Sequence, residues 1–376
     1  MKENIFIIVI VCFLFGACKN DMLDLPPETA LSTPVFFKTQ NDFQQAINGA
    51  YAPLRGLYNG NGGAWAMGEM RSDNTTYKYN PQDRGTTIPE FIADFNDDAN
   101  SWVNTNKYFM NYDVIARCNQ ILEKIDLVEF DSSSKDNIKG QAYFLRAFAY
   151  FDLVQYYGEV PLHLKPAKSL EETALPLSSV DEVYQQIVAD AEQAISLLPN
   201  KSVQELGRAT SGAASMLLGN VYIVQKKWAE AESILKSVDG YSLMADYESV
   251  FNPANKNNSE SLFEIQFKEG AEGFASNFFY TFLVQPITAE EITAVTGIPE
   301  VARTIEGFNI PTPDILAAYE DGDRRKEASI GLINAGGVDY PYIKKYSHEH
   351  TLTNNTNDNW PVYRYAELLL WNCNLN

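Results

Sequence analysis

The sequence is short of several things, and each shortage excludes a class of protein. Four cysteines occur in 376 residues, at positions 12, 18, 118 and 373. With two of them at the extreme N-terminus, the remaining pair cannot make a disulfide framework, and Cys118, at a helical position among apolar residues, reads as a small buried side chain. Histidine is scarcer still, at His163, His348 and His350. His348 and His350 alternate, so on a strand they would face opposite sides, and no third ligand accompanies them; a solvated loop is the expected setting. Cations are outnumbered, 29 Lys and Arg against 49 Asp and Glu, and the resulting net charge of −20 repels phosphate backbones and so excludes nucleic acid as a partner. A phosphate-binding loop is missing, because Gly60-Asn61-Gly62-Gly63 lacks the required lysine and helix start, and no Gly-x-Ser-x-Gly elbow occurs. Carboxylates are so abundant that a pair at glycosidase spacing would arise by accident and carries no information. These absences predict no catalytic residue, no metal and no cofactor.

What is present begins with the N-terminus. Met1-Lys2 precedes the apolar run Ile5 to Phe15, and Gly16-Ala17-Cys18 follows. The run is too short to cross the ~30 Å hydrocarbon layer as a helix, so it reads as a signal peptide over 1–17. The Gly-Ala-Cys ending resembles the lipobox of bacterial lipoproteins, with Phe15 where that pattern usually has Leu. Cleavage there would leave Cys18 as a lipid-bearing N-terminus, and several acyl chains at ~0.8 kcal/mol per buried methylene would anchor the protein to a membrane. The plainer alternative is a secretory signal that leaves Cys18 free. Lys19-Asn20-Asp21 resembles the signals that send Bacteroidetes lipoproteins to the outer face of the cell outer membrane. Residues 18–33 are polar and contain Pro26-Pro27, which suits an extended tether.

From residue 34 onward the pattern is mainly helical. Phe43, Ala46, Ile47, Ala50 and Tyr51 form one stripe over Asn41 to Leu54, with Asn41 as the expected cap. Gly56 to Pro89 is rich in turn formers and is expected to be mostly long loops. Helices are expected near 100–128, 135–157, 180–198, 209–225 and 228–238, the third opened by a Ser179–Glu182 capping box and stopped by Pro199. Leu218-Gly219, Tyr222, Trp228, Ala231 and Leu235 have the spacing of a tetratricopeptide repeat, in which Gly219 admits close approach and Ala231 fits the gap. One strand is expected at Ser261 to Phe267, with Leu262, Glu264 and Gln266 alternating with Phe263, Ile265 and Phe267. Residues 268–312 look irregular, and a short helix should start at Pro313 with Asp314 complementing its dipole.

Several blocks, in order along the chain, resemble the SusD/RagB family of outer-membrane nutrient-binding proteins. They include MLDLPPETALSTPVFFKTQNDFQQAINGAY near the start and KGQAYFLRAFAYFDLVQYYGEVPL at 139–162. Asn119, Arg208-Ala209-Thr210, the Ser261 strand, Asp321 to Arg325, Lys344-Lys345-Tyr346 and Tyr363-Arg364-Tyr365-Ala366-Glu367 match further blocks. The resemblance implies a mainly α scaffold of tetratricopeptide-like helix pairs, with long loops and a few short strands. It also implies a lid on a SusC-like TonB-dependent transporter that delivers oligosaccharides, or in some members peptides. One departure stands out: in the family the Arg-Tyr-Ala-Glu helix leads into another helix pair, whereas here Leu368-Leu369-Leu370 is followed by Trp371 to Asn376. A domain over 34–376, incomplete at its C-terminus, with a last helix deprived of its partner, is therefore expected.

A sugar site needs exposed aromatic plates bordered by carboxylates, amides or guanidinium groups. The loop region supplies that mixture in Trp65, Arg71, Asp73, Asn74, Tyr77, Tyr79 and Asn80, with Trp102 beyond, and Trp360 is an outlying candidate. These residues can also be bland: Trp102 opens a helical run and suits a core, and Glu69 to Asn74 suits a hydrogen-bonded turn. The expected function is capture of a glycan by a surface lipoprotein. A peptide carrier on the same scaffold and a tetratricopeptide assembly scaffold of the envelope are the alternatives.

Overall fold

A computed structural model of the chain describes residues 36–59, 62–78, 88–284, 287–299 and 307–375. The signal peptide, tether and Cys18 expected from the sequence, together with Tyr79 and Asn80, lie outside the described residues.

The first long helix, α1, spans Gln40–Tyr58 and buries Phe43, Ile47, Ala50, Leu54 and Leu57. Its cap is Thr39 in place of the expected Asn41, because Thr39 and Asp42 exchange the reciprocal bonds of a capping box. Pro53 sits inside α1 and has no N–H to give to the carbonyl of Gly49. Arg117 supplies the missing donor, its Nη1 lying 3.1 Å from that oxygen.

Two short helices follow, α2 at Gly63–Gly68 and α3 at Ile88–Ala93, and then the expected series: α4 at Trp102–Lys124, α5 at Ser132–Tyr157, α6 at Val180–Leu197, α7 at Ser211–Val224 and α8 at Trp228–Lys236. From α4 onward each packs on the next, and α1 packs on both α4 and α5. Helix α5 is the centre of the stack, with Ala142, Phe144, Leu145, Ala147, Ala149, Tyr150 and Leu153 fully buried. It also carries Arg146, which grips Asp190 of α6 through two 2.7 Å bonds and Asn119 of α4 through a third at 2.8 Å. Three helices are thus joined by one buried guanidinium fork. The repeat signature places α7 against α8 as expected. A Cβ on Gly219 would stand 2.5 Å from Leu235 Cδ2, and Ala231 is fully buried.

The long loops expected over 56–89 contain α2, the first residues of α3 and a short strand, β1, at Thr75–Thr76. Tertiary burial overrides the poor helix propensity of the glycine-rich stretch: α2 carries Trp65, whose ring lies 5.3 Å from that of Phe282 and 6.2 Å from that of Phe308. The following strand, β2, at Ser261–Ile265, is buried at every residue instead of alternating, since α1 and α7 pack against it. The 268–312 region is less irregular than expected. It contains α9 at Phe278–Thr281, α10 at Ala289–Thr296 and β3 at Ile310–Pro311. Next come α11 at Pro313–Ala318, capped by Thr312, then α12 at Arg324–Ser329, β4 at Ile330–Ala335 and β5 at Val338–Ile343. Gly336 and Gly337, at φ 61° and 81°, form the tight turn between β4 and β5 that positive φ permits. The last elements are β6 at Trp360–Arg364 and α13 at Tyr365–Leu375.

The strands form antiparallel ribbons, β1 with β3, β2 with β6 and β4 with β5. Helix α13 is not left without a neighbour, as the sequence led one to expect. It packs on α8 and buries Leu368, while Leu370 is 65% exposed. Among the described residues no helix is long and apolar enough to cross a membrane.

Candidate functional site

The turn after α2 and the β1–β3 ribbon bring together chain segments far apart in sequence. Thr312 donates from its hydroxyl to the carbonyl of Asp73 at 2.6 Å and from its backbone N–H to the carbonyl of Asn74 at 2.9 Å. These bonds leave the Asp73 and Asn74 side chains exposed beside the region around α11.

The sequence-predicted residues separate into distinct fates. Trp65 is no displayed plate: it is buried in the core, and its indole N–H donates to the Asn59 carbonyl at 3.2 Å. Arg71 forms an ion pair with Asp97 and lies 5.7 Å from the ring of Phe95. Tyr77 is half-buried and donates its hydroxyl to Asp94 at 2.9 Å. Trp102 is the first residue of α4 and packs half-buried against the core, which fits its bland reading. The histidine loop is not solvated as expected. His350 is buried, 2.6 Å from the Tyr280 hydroxyl, and His348 lies 2.5 Å from Asp358.

Asn74 and Trp360, two of the predicted residues, meet in one cleft of about 290 Å³. Its aromatic side is Trp360 stacked on Tyr346, with centroids 5.6 Å apart and planes within 18°. Phe278 braces Trp360 edge-on at 5.3 Å. Burial holds the Tyr346 phenol above its ordinary pKa, so it stays a neutral hydroxyl. The polar side comes from Glu69, Asn74, Thr75 and Asn309, with Tyr319 and Lys345 at the border. Asn309 Oδ1 and Thr75 Oγ1 are buried there without a hydrogen-bond partner among the described residues. Buried polar atoms left unpaired are costly, so these two mark a strained polar layer beneath the lining, whereas Glu69 and Asn74 are the exposed polar side chains of the cleft.

A further aromatic plate escaped the sequence reading. Helix α3 ends with the N–H of Phe95 bonded to the Ile92 carbonyl at 3.2 Å and that of Asn96 bonded to the Phe91 carbonyl at 2.8 Å. This is the Schellman ending, whose left-handed residue is usually glycine. Here that residue is Phe95, at φ 56° and 69% exposed. The only sequence signal was an aromatic residue followed by the turn formers Asn96-Asp97-Asp98.

Residues 21–223 match the family model for SusD-like proteins described as "Starch-binding associating with outer membrane". The chain belongs to this SusD-like family. Among curated relatives, SusD-like protein P25 of Formosa agariphila is 23% identical over 98% of this chain and 77% of its own length. A SusD-like protein of Bacteroides ovatus is 27% identical over 92% of this chain, which spans 62% of that relative. Among solved structures, a laminarin-binding SusD-like protein superposes with a TM-score of 0.77 at 22% identity, over 90% of this chain and 80% of its own. Surface glycan-binding protein A from Bacteroides thetaiotaomicron, solved with laminarihexaose, gives 0.73 at 20% identity, over 89% and 78%. At these identities the superpositions establish a shared SusD-like fold.

Proposed function

We propose that this SusD-like protein binds a glycan in the cleft between the Glu69–Thr75 turn and the Tyr346–Trp360 stack. The observation that carries the reading is the meeting, in one cleft, of the Tyr346–Trp360 stack with the exposed polar side chains of Glu69 and Asn74. A pyranose ring presents an apolar C–H face to aromatic rings and hydroxyls to amides and carboxylates, and this cleft offers both kinds of partner. The laminarin-binding relative and the laminarihexaose complex on the same fold support a polysaccharide fragment as ligand. Phe95 beside Arg71, and Tyr77, Asp73 and Trp102, are secondary contacts in this reading. The role is capture and handover and not bond cleavage. The chain would be held on the outer face of the outer membrane through lipid on Cys18, and would pass its glycan to a SusC-like TonB-dependent transporter.

Calorimetry with laminarin oligosaccharides and a panel of other neutral glycans tests the site. Asn309→Gly keeps a residue suited to the left-handed φ of 54° while deleting the amide, and should weaken binding about tenfold or more. Full affinity in Asn309→Gly and Asn74→Ala would move the site elsewhere, and peptide binding in the same assay would favour the peptide-carrier reading.

A further inference from the structure

A second cleft, of about 260 Å³, lies between α1, the Glu205–Arg208 loop and the end of β2. It continues into a smaller recess lined by Lys201 and Tyr241. The cleft is lined by two arginines. Arg208 is accounted for: it bonds to the Asn48 amide oxygen at 2.5 Å, stands 3.3 Å from Glu205, and lies over the Tyr51 ring. Arg55 is not. It is half-buried, stacked 4.7 Å from the Phe274 ring centroid, and its side chain makes no hydrogen bond or ion pair with any described residue. Burial pulls its pKa below the ordinary arginine value, so the site is held open for a charge at some cost.

Two carboxylates also line the cleft, and neither balances Arg55. Glu205 is 71% exposed and belongs to Arg208. Glu264 is buried, accepts from the Asn257 N–H at 3.2 Å and the Asn359 amide at 2.9 Å, and has Lys201 and Lys256 as its neighbouring cations. The position of Arg55 in the last turn of α1 favours a cation on dipole grounds alone, yet that role does not require a side chain lining a cleft beside a second arginine. The lining arginines and carboxylates balance in number, and what sets the cleft apart is that the Arg55 guanidinium fork is unused while Arg208, Glu205 and Glu264 have partners.

We propose that the cleft binds an oxyanion, a carboxylate or sulfate group, gripped by Arg55 and flanked by Arg208 and Tyr51. A planar fork with free N–H donors matches such a group two bonds at a time, and few other chemistries use it. The volume falls just below the ~300–1,000 Å³ of drug-sized pockets, so the ligand is a small anion or one acidic unit of a longer glycan. This site is separate from the Trp360 cleft and stands whether or not that cleft binds sugar.

The test is calorimetry of the folded chain at low ionic strength with glucuronate, inorganic sulfate and neutral glucose, together with ¹⁵N NMR of the Arg55 side chain. Glucuronate or sulfate should bind, glucose should not, salt should weaken binding, and the Arg55 Nε–H resonance should shift on titration. Arg55→Met should lose about tenfold or more in affinity, with Arg55→Lys in between. Glucuronate bound more tightly than sulfate identifies an acidic sugar unit, and comparable binding identifies a free anion. Absence of binding by both anions overturns the proposal, as does equal binding by Arg55→Met. The Arg55 resonance shift in the unaltered protein keeps the test decisive if a variant fails to fold.

Discussion

Arg117 donates from Nη1 to the carbonyl oxygen of Gly49 at 3.1 Å, on the very group that Pro53 leaves without an intrahelical partner. A proline inside a helix both removes a donor and strains the turn before it, so the α4 side chain repairs α1 at its weakest point. The two positions should therefore be coupled. Arg117→Met is expected to cost about 1 kcal/mol in the natural background and clearly less when Pro53→Ala has restored the helical N–H. Urea unfolding of the single and double variants measures this, and strict additivity would dismiss the repair.

Gly219 has a sharper constraint, since an added methyl would meet Leu235 at both Cδ2 and Cγ, 2.5 and 2.7 Å away. Gly219→Ala should destabilise by about 1–3 kcal/mol through overpacking of α7 on α8. Leu235→Ala in the same chain opens the space, so the double variant should be less damaged than the sum of the two. A thermal-unfolding comparison decides it.

Phe95 occupies a glycine's place in the ending of α3 while showing most of its surface to water. Strain of this kind, held by a displayed aromatic residue, is what a binding role would maintain against stability. Phe95→Gly should raise the melting temperature modestly, by relief of about 1 kcal/mol of left-handed strain, and at the same time weaken glycan retention. Unchanged affinity would remove Phe95 from the binding face and leave the strain unexplained.

Glu367 gives a pH dependence of definite sign. Burial raises its carboxyl above the ordinary value of 4.5, against the opposing pull of the neighbouring polar side chains of Trp371 and Asn220 and the charge of Arg364. The folded state thus holds this proton more tightly than the unfolded chain. Stability falls as pH rises from the ordinary carboxylate value through the raised one, and the penalty persists above it. Glu367→Gln should match the natural protein in acid and become comparatively more stable towards neutrality. Melting curves from about pH 4 to about pH 8 would show the two lines diverging, and parallel lines would refute the assignment.

The helical scaffold was legible because its signals are local. Ser179 and Glu182 cap α6 as the spacing indicated, and Gly219, Ala231 and Leu235 meet as the repeat pattern required. What local pattern cannot encode is which surface a segment meets. Trp65, set among glycines, looked like a loop plate and is instead buried against Phe282 and Phe308, more than two hundred positions later in the chain. Phe263 and Glu264 alternate in sequence yet are both buried, because β2 is covered on more than one side. Of the site, Asn74 and Trp360 were named, but their convergence is a long-range contact between segments some 286 positions apart, and Phe95 stayed invisible because its backbone angle contradicts its residue type.

Thr312 and Asp73, bonded through side chain and carbonyl, are 239 positions apart. During synthesis the helices that contact their sequence neighbours can condense early, whereas the loop face has to wait until the strand at Ile310–Pro311 has emerged and come back to Thr75–Thr76. A newly made molecule would thus possess its frame before its loop face, and damage to that late closure would yield chains that are ordered by helical signature yet lack the assembled cleft.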